Sequence, residues 1–407
     1  MSVIQRERYM RCIRPFIGSE LIKVLTGFRR SGKSVMLELI RDELRARGIP
    51  DTQFITLNFE SLQNVPYCTA PALYAELSRR IAAAPGKSYL FLDEIQEVTS
   101  WEKCINSCRV DFDCDIYITG SNANLLSGEL ATYLGGRYTE FVIYPFSFAE
   151  FLESRRQSSD NTDIPGAFNA YVTCGGMPFL SNFQSDAESA RQYLRDIYRS
   201  VVLKDIVQRR HIRDVDLLER IITYVMANAG HTFSARSISN YFKSERRSVA
   251  PETILNYLRA CCDAYLFYRL SREDVASKKI LSVNEKYYIV DHGIREAVYG
   301  KNTGNIDQIL ENIVCMELLR RGYTVTIGKT GDLEIDFIAE KHGARIYIQV
   351  AYLLPSPETV AREFGVYESI RDNYPKYVVS MDEFDLSRDG IRHRNIRDFL
   401  LLEEWEA

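Results

Sequence analysis

Short apolar runs punctuate the first third of the chain at a regular spacing. Segments near 22–26, 54–58, 89–93 and 115–119 read as strands, and the stretches 35–47, 70–83 and 101–109 between them repeat apolar residues at helical spacing. Tyr89-Leu90-Phe91-Leu92 is apolar at every position, the pattern of a strand covered on both faces of a sheet. Val35, Met36, Leu39 and Ile40 instead mark one face of a helix. Strand and helix in alternation predict βαβ units and an α/β domain with a parallel sheet over residues 1–150.

Beyond this point the pattern changes twice. Pro145-Phe146-Ser147-Phe148-Ala149-Glu150-Phe151 gives way to a polar run, 154–163, expected as an exposed loop. Residues 166–210 read as helical, broken at Cys174-Gly175-Gly176-Met177-Pro178, so 151–213 is expected as a helical lid or linker. Helical patterns at 216–228, 234–242 and 251–264 then precede extended runs at 265–270 and 286–290. Three helices closed by a hairpin predict a winged helix over 214–295. The last region, 296–407, has a helix at 307–321, strands near 323–328, 333–339 and 345–351, and a further strand at Tyr377-Val378-Val379-Ser380.

Composition narrows the class. The chain has 407 residues, 46% hydrophobic and 26% charged, which predicts two or three packed domains and little disorder. Its nine cysteines, an odd count without paired C-x-x-C spacing, point to reduced thiols in a cytoplasm rather than a disulfide framework or zinc site. Five scattered histidines give no His-rich metal centre. No run reaches the ~18 apolar residues of a membrane span, so no membrane partner is expected. Arg6, Arg8, Arg11 and Arg14 lack the apolar core of a secretory signal and are expected on a helix before the first strand. A net charge of −4 excludes a uniformly basic nucleic-acid coat, although residues 191–247 hold twelve Lys/Arg against six Asp/Glu.

The sharpest chemistry lies at the end of the first strand. Gly27-Phe28-Arg29-Arg30-Ser31-Gly32-Lys33-Ser34 fits G-x-x-x-x-G-K-S, between a strand and a helix. Gly27 and Gly32 let the backbone curl so that the N–H groups of Arg29, Arg30, Ser31 and the residues through Val35 surround phosphate oxygens, with the positive helix end behind them. Lys33 is expected on the β/γ-phosphates and the Ser34 hydroxyl on Mg²⁺, which makes ATP the expected ligand. No Asn-Lys-x-Asp guanine-reading pattern is present.

A carboxylate pair, Asp93-Glu94, ends the apolar third strand. Asp93 is expected to hold Mg²⁺ through its water shell and Glu94 to act as general base toward the attacking water. The fourth strand ends in Thr119-Gly120-Ser121-Asn122, where Ser121 and Asn122 either hold that water or cap a helix beginning near Ala123. Arg137, after Gly135-Gly136, either spreads its guanidinium over a transferring phosphoryl group, in cis or from a neighbouring copy, or is a turn residue.

In the last region Glu311, Asp336 and the strand Ile346-Tyr347-Ile348-Gln349-Val350-Ala351 follow the carboxylate spacing of PD-(D/E)xK nucleases. Gln349 stands where the third acid belongs and Ala351 where the lysine belongs, so a nuclease-like fold without cleavage is expected, against an active enzyme using a displaced residue such as Lys329.

Gly27 to Ser34, Leu92-Asp93-Glu94, Thr119-Gly120-Ser121, Gly136-Arg137-Tyr138 and Pro145-Phe146-Ser147-Phe148 together resemble the bacterial and archaeal AAA-type P-loop ATPases that carry an uncharacterised C-terminal domain. Gly175-Gly176-Met177-Pro178, Gln349-Val350-Ala351-Tyr352 and Asp372-Asn373-Tyr374-Pro375-Lys376 are similar to that family's C-terminal half. The resemblance implies a P-loop NTPase core of AAA-like fold, ATP binding, a winged helix and a nuclease-like terminal fold. Lys33, Ser34, Asp93 and Glu94 match its nucleotide site, and Arg137 matches a recurrent arginine. The partners expected are double-stranded DNA, another protein, or further copies of the chain.

Overall fold

The computed structural model describes residues 3–123, 134–158, 162–183, 186–300 and 306–405. The chain forms two units, one running to Pro145 and taking in Asp263–Tyr265, the other comprising Phe146–Cys262 and Leu266–Ala407.

In the first unit, five strands, β1 (Ile22–Thr26), β2 (Phe54–Asn58), β3 (Ser88–Asp93), β4 (Cys114–Thr119) and β5 (Tyr138–Val142), form one parallel sheet in the order β2-β3-β4-β1-β5. Helices α1 (Glu7–Ile13), α2 (Lys33–Ala46), α3 (Ala70–Ala83) and α4 (Trp101–Asp111) accompany it. The unbroken apolar run in β3 has the predicted cause. Leu90 and Leu92 enter a core with Leu73 and Leu77 of α3 and Trp101, Ile105 and Cys108 of α4. Tyr89 and Phe91 face the other way, where Phe91 stacks on Tyr117 at 5.0 Å and Phe54 meets both rings edge-on. Each fully buried leucine contributes about 2 kcal/mol, so the two faces of one strand bind two layers to the sheet.

The order has a consequence for chemistry. β4 separates β3 from β1, so the Thr119–Asn122 segment lies between the loop that leaves β1 and Asp93 at the end of β3. All these segments leave the carboxyl ends of parallel strands, where open α/β sheets bind ligands.

The second unit opens with helices α5 (Phe148–Ser158), α6 (Ile164–Cys174) and α7 (Ala187–Ser200), the last continuing into a π-helical stretch, Val201–Gln208. Helices α8 (Val215–Ala227), α9 (Ala235–Ser244) and α10 (Pro251–Asp263) follow. A hairpin of β6 (Phe267–Asp274) and β7 (Lys279–Ile289) leads through α11 (His292–Tyr299) and α12 (Ile306–Arg320) to β8 (Thr324–Thr330), β9 (Leu333–Lys341) and β10 (Ala344–Val350). Helix α13 (Pro357–Gly365), β11 (Lys376–Ser380), β12 (Arg392–Asn395) and α14 (Ile396–Leu401) complete it. These seven strands form one mixed sheet in the order β12-β11-β10-β9-β8-β6-β7.

That sheet runs across the expected division at 295/296. β6 pairs in parallel with β8, Arg272 opposite Ile327, so the hairpin expected to close a separate winged helix belongs to the sheet of the last region. The Gly175-Gly176 break is explained too. Gly175 has φ +80°, and Asp291, which caps α11, accepts the Gly176 N–H at 2.7 Å; a Cβ on Gly175 would stand 2.1 Å from Asp291 Oδ1.

Among the described residues no helix is long and apolar enough to cross a membrane, and the nine cysteines are all free thiols.

Candidate functional site

The loop from Gly27 to Gly32 folds through two glycines and one arginine in left-handed conformation, with φ of 136° at Gly27, 62° at Arg30 and 102° at Gly32. Gly27 is needed for space as well, since a Cβ there would meet Ile143 O at 2.2 Å, where the segment leaving β5 runs alongside. Lys33, the first residue of α2, is buried and donates to the carbonyls of Gly27 (3.1 Å) and Phe28 (3.0 Å), which holds its ammonium over the loop. Ser31 is buried, and its Oγ has no hydrogen-bond partner. A buried hydroxyl left in this way costs about 1–3 kcal/mol unless a ligand answers it.

Asp93 is tied on both oxygens. Thr119 Oγ1 donates to Oδ1 at 2.5 Å and Asn58 Nδ2 to Oδ2 at 2.9 Å, and the Ser34 hydroxyl of α2 lies near enough to lower the pKa of this carboxylate. Burial raises the Asp93 pKa above the usual carboxylate value and Glu94 adds to the rise; the Thr119 and Ser34 hydroxyls and Lys33 pull the other way. A carboxylate desolvated to this degree is poised for a cation. Thr119 Oγ1 also accepts the Glu94 N–H at 2.9 Å, so one hydroxyl fixes both acids. Glu94, half-buried, sits at φ 55°, a strained conformation for a non-glycine residue, and Gln96 Nε2 hydrogen-bonds its Oε2.

The donor set fits a nucleoside triphosphate with a divalent cation: an ammonium, a turn of N–H groups at a helix start, an unanswered buried hydroxyl, and a serine hydroxyl near a desolvated carboxylate. Arg29 and Arg30 belong to the same loop, but Arg29 is engaged outward with Glu60 at 2.7 Å and Arg30 is exposed. Ser121 and Asn122 are buried beside Gly120, whose N–H donates to Leu25 O at 3.1 Å. The helix expected from about Ala123 lies almost wholly outside the described residues.

Arg137 is not brought to this loop. It precedes β5, with Tyr138 level with Ile22 at the start of β1, five strand residues or about 16 Å from the end where the loop begins. Its exposed guanidinium reaches Asn106 Oδ1 of α4 at 3.3 Å. Parallel pairing fixes which end of the sheet each strand start occupies, and sets Arg137 at the end opposite the loop.

In the second unit, Glu311 of α12 and Asp336 of β9 do meet, and the cation between them is Lys286 of β7 rather than Lys329. Lys286 Nζ lies 2.9 Å from Glu311, 2.8 Å from Glu334 and 3.7 Å from Asp336, and Tyr288 donates to Glu311 at 2.5 Å. Burial works against the Lys286 charge, but Glu311, Asp336 and Glu334 outweigh it and raise the pKa. Asp336 is pushed well above the carboxylate range by burial and by Glu311. Gln349 accepts the Asp336 N–H at 3.2 Å and donates to Glu363 at 2.9 Å, while Ala351 packs in an apolar cluster. Arg247, after α9, pairs with Asp214 (2.7 Å) and Asp216 (2.6 Å).

Sequence reasoning missed Asn58, Thr119, Lys286 and Glu363. Only Thr119, in the Thr119-Gly120-Ser121 run next to the candidates Ser121 and Asn122, carried a local signal.

Comparison with known proteins gives the family of the chain. Residues 19–152 match a family model described as an AAA domain, and residues 166–305 match a domain of unknown function. An uncharacterized protein of Haemophilus influenzae is 39% identical over 98% of this chain and 99% of its own. Another, of Methanocaldococcus jannaschii, is 30% identical over 86% and 79%. The solved structure of Aeropyrum pernix ORC1 in complex with DNA is 13% identical over 73% of this chain and 92% of that one, with a TM-score of 0.35. AMPPCP-bound DnaA from Aquifex aeolicus is 13% identical over 64% and 88%, at 0.33; scores this low carry no weight for function. Identity of 39% and 30% to two relatives, over 98% and 86% of this chain, with the AAA match falling on the sheet and loop described above, shows that the chain belongs to a family of AAA-domain P-loop proteins that continue into an uncharacterised C-terminal half.

Proposed function

We propose that this protein binds ATP with Mg²⁺ at the Gly27–Ser34 loop and hydrolyses it as a switch read by a DNA or protein partner. The observation that carries the reading is the Asp93 constellation, in which Asn58 and Thr119 bond one desolvated carboxylate, with Ser34 and Lys33 near enough to lower its pKa. Lys33 and the loop N–H groups hold the β- and γ-phosphates. Ser34 and Asp93 would hold Mg²⁺, which when bound would neutralise charge that builds on the phosphate oxygens. Glu94 accepts the proton of the attacking water, and Ser121 and Asn122 orient that water. Arg137, exposed and away from its own loop, serves a neighbouring copy in an oligomer.

The partner is argued from the second unit. Helices α8 to α10 with the β6–β7 hairpin support a winged-helix reading, on which exposed Asn256 and Arg259 face bases and exposed Lys243 lies on a phosphate. The nuclease-like reading of the last region is kept as a fold without cleavage: Lys286 occupies the midst of the carboxylates, and Gln349 and Ala351 replace the acid and lysine.

Steady-state ATP hydrolysis with and without double-stranded DNA at low salt, beside Lys33→Ala and Glu94→Gln, tests the proposal. Turnover lost in both variants supports the site, and stimulation by DNA makes DNA the partner. ATP affinity unchanged in Lys33→Ala would overturn the site. Metal-dependent nicking abolished by Asp336→Ala would overturn the inert terminal fold.

A further inference from the structure

Arg6 lies far from the phosphate loop in sequence, yet its guanidinium is bonded to it. The residue is 3% exposed and opens α1 in left-handed conformation, with φ 48°. Its Nη1 donates to Ser31 O at 2.9 Å, and its Nη2 to Tyr144 O, just beyond β5, at 2.8 Å. The Tyr9 ring lies 4.5 Å from the guanidinium carbon, and Tyr9 OH accepts the Tyr144 N–H at 3.1 Å. The Ile143 N–H in turn donates to Thr26 O at 2.8 Å. One planar fork thus spans the segments leaving the two neighbouring strands β1 and β5.

The contact with Ser31 O has a directional consequence. In a trans peptide the carbonyl of one residue and the N–H of the next point in opposite directions, and no cis bond occurs among the described residues. Arg6 draws the Ser31 carbonyl to one side, so the Gly32 N–H must face the other. Gly32, without a side chain and at φ 102°, would otherwise let this peptide turn freely. An arginine suits the task because its fork supplies two fixed donors and stays charged at every working pH.

We propose that Arg6 is a positioning residue for the phosphate loop, fixing the peptide between Ser31 and Gly32 so that the Gly32 N–H is presented to a nucleotide phosphate. The proposal rests on the reading of the loop as an ATP site. Holding the donor in place before binding spares the ligand the cost of ordering it.

The test measures ATP dissociation constants with Mg²⁺ for the full chain, at a temperature where thermal melting shows every variant folded, alongside the nucleotide-free melting temperature. Arg6→Ala is expected to bind ATP about tenfold or more weakly, the loss that goes with one charge-assisted hydrogen bond. Arg6→Lys, which keeps the charge and stem and reaches only one carbonyl, falls between Arg6→Ala and the unaltered chain. Tyr9→Phe removes the hydroxyl from Tyr144 without touching Ser31 and is expected to lower the melting temperature while leaving the dissociation constant within twofold, roughly 0.4 kcal/mol. If Arg6→Ala and Arg6→Lys bind ATP as the unaltered chain does, Arg6 does not position the loop and the ATP site stands. If Tyr9→Phe weakens binding as much as Arg6→Ala, α1 acts by packing alone and the proposal fails. If the unaltered chain itself does not bind ATP, the reading of the site fails and the proposal with it.

Discussion

Asp115→Asn tests whether charge is held in the interior of the first unit at the energetic level the contacts require. Lys23 and Asp115 are both fully buried beneath the sheet and form an ion pair. Asp115 also accepts from Tyr117 OH at 2.7 Å and from the Gly18 N–H at 2.8 Å, while Lys23 donates to the carbonyls of Leu21 (2.8 Å) and Ser19 (3.1 Å). Removing one partner of a buried pair costs about 3–5 kcal/mol. An independent ceiling comes from the lysine. Burial lowers its pKa from 10.5 and Asp115 resists the fall, so the variant's Lys23 sheds its proton, at a cost of at most about 4 kcal/mol near pH 7.5.

The sign of the pH dependence follows. With its folded pKa depressed, Lys23 in the variant binds fewer protons folded than unfolded, so stability rises with pH up to the unfolded value of 10.5. The deficit therefore shrinks toward about 1.4 kcal/mol near pH 9.5. The chain has two tryptophans, and Trp101 lies in the core of the first unit, so urea unfolding followed by Trp101 fluorescence in a Trp405→Phe background isolates that unit. The expected midpoint drop is roughly 2 M at a slope near 2 kcal/mol per M. A deficit under about 1 kcal/mol, or one that does not shrink as pH rises, refutes the reasoning. The double variant Lys23→Met with Asp115→Asn should recover most of the loss, because the unpaired charge is gone.

Three further outcomes are expected. Glu94→Gln should leave ATP affinity unchanged while slowing turnover about 10²–10⁴-fold, and equal turnover in single-turnover assays would remove Glu94 as the base. Gly175→Ala places a Cβ against Asp291 at φ +80° and should cost about 2 kcal/mol in urea unfolding followed by Trp405, from left-handed strain and a displaced helix cap; a loss below 1 kcal/mol argues against both. His393, buried, accepts the Leu386 N–H on Nδ1 at 3.3 Å, so its Nε2 carries the hydrogen toward Ser380 Oγ at 2.8 Å. Burial lowers its pKa below 6.5, so the stability it contributes is full above that value and is lost as pH falls. His393→Gln should therefore flatten the decline of stability between about pH 6.5 and 5.5 by up to about 1.4 kcal/mol, and coincident slopes would contradict the assignment.

Whatever depends on neighbours along the chain could be read from the residues alone. The loop Gly27–Ser34, the strands β1 to β4 and the acid pair at the end of β3 were legible because a P-loop is contiguous and because apolar runs and helical spacing are local signals. Helix α12 and strands β8 to β10 were legible within one or two residues for the same reason. Tertiary structure decided which end of the sheet Arg137 occupies, since only strand pairing places the start of β5 beside Ile22. It decided that the β6–β7 hairpin joins the last seven-stranded sheet, a pairing with β8 that spans some fifty residues and leaves no mark in either segment. It also chose Lys286 over Lys329 as the cation among Glu311, Glu334 and Asp336, and brought Arg6 to the Ser31 carbonyl. Both are charges desolvated by packing, and the partner of a desolvated charge is fixed by what folds against it, which periodicity and spacing along the chain do not encode.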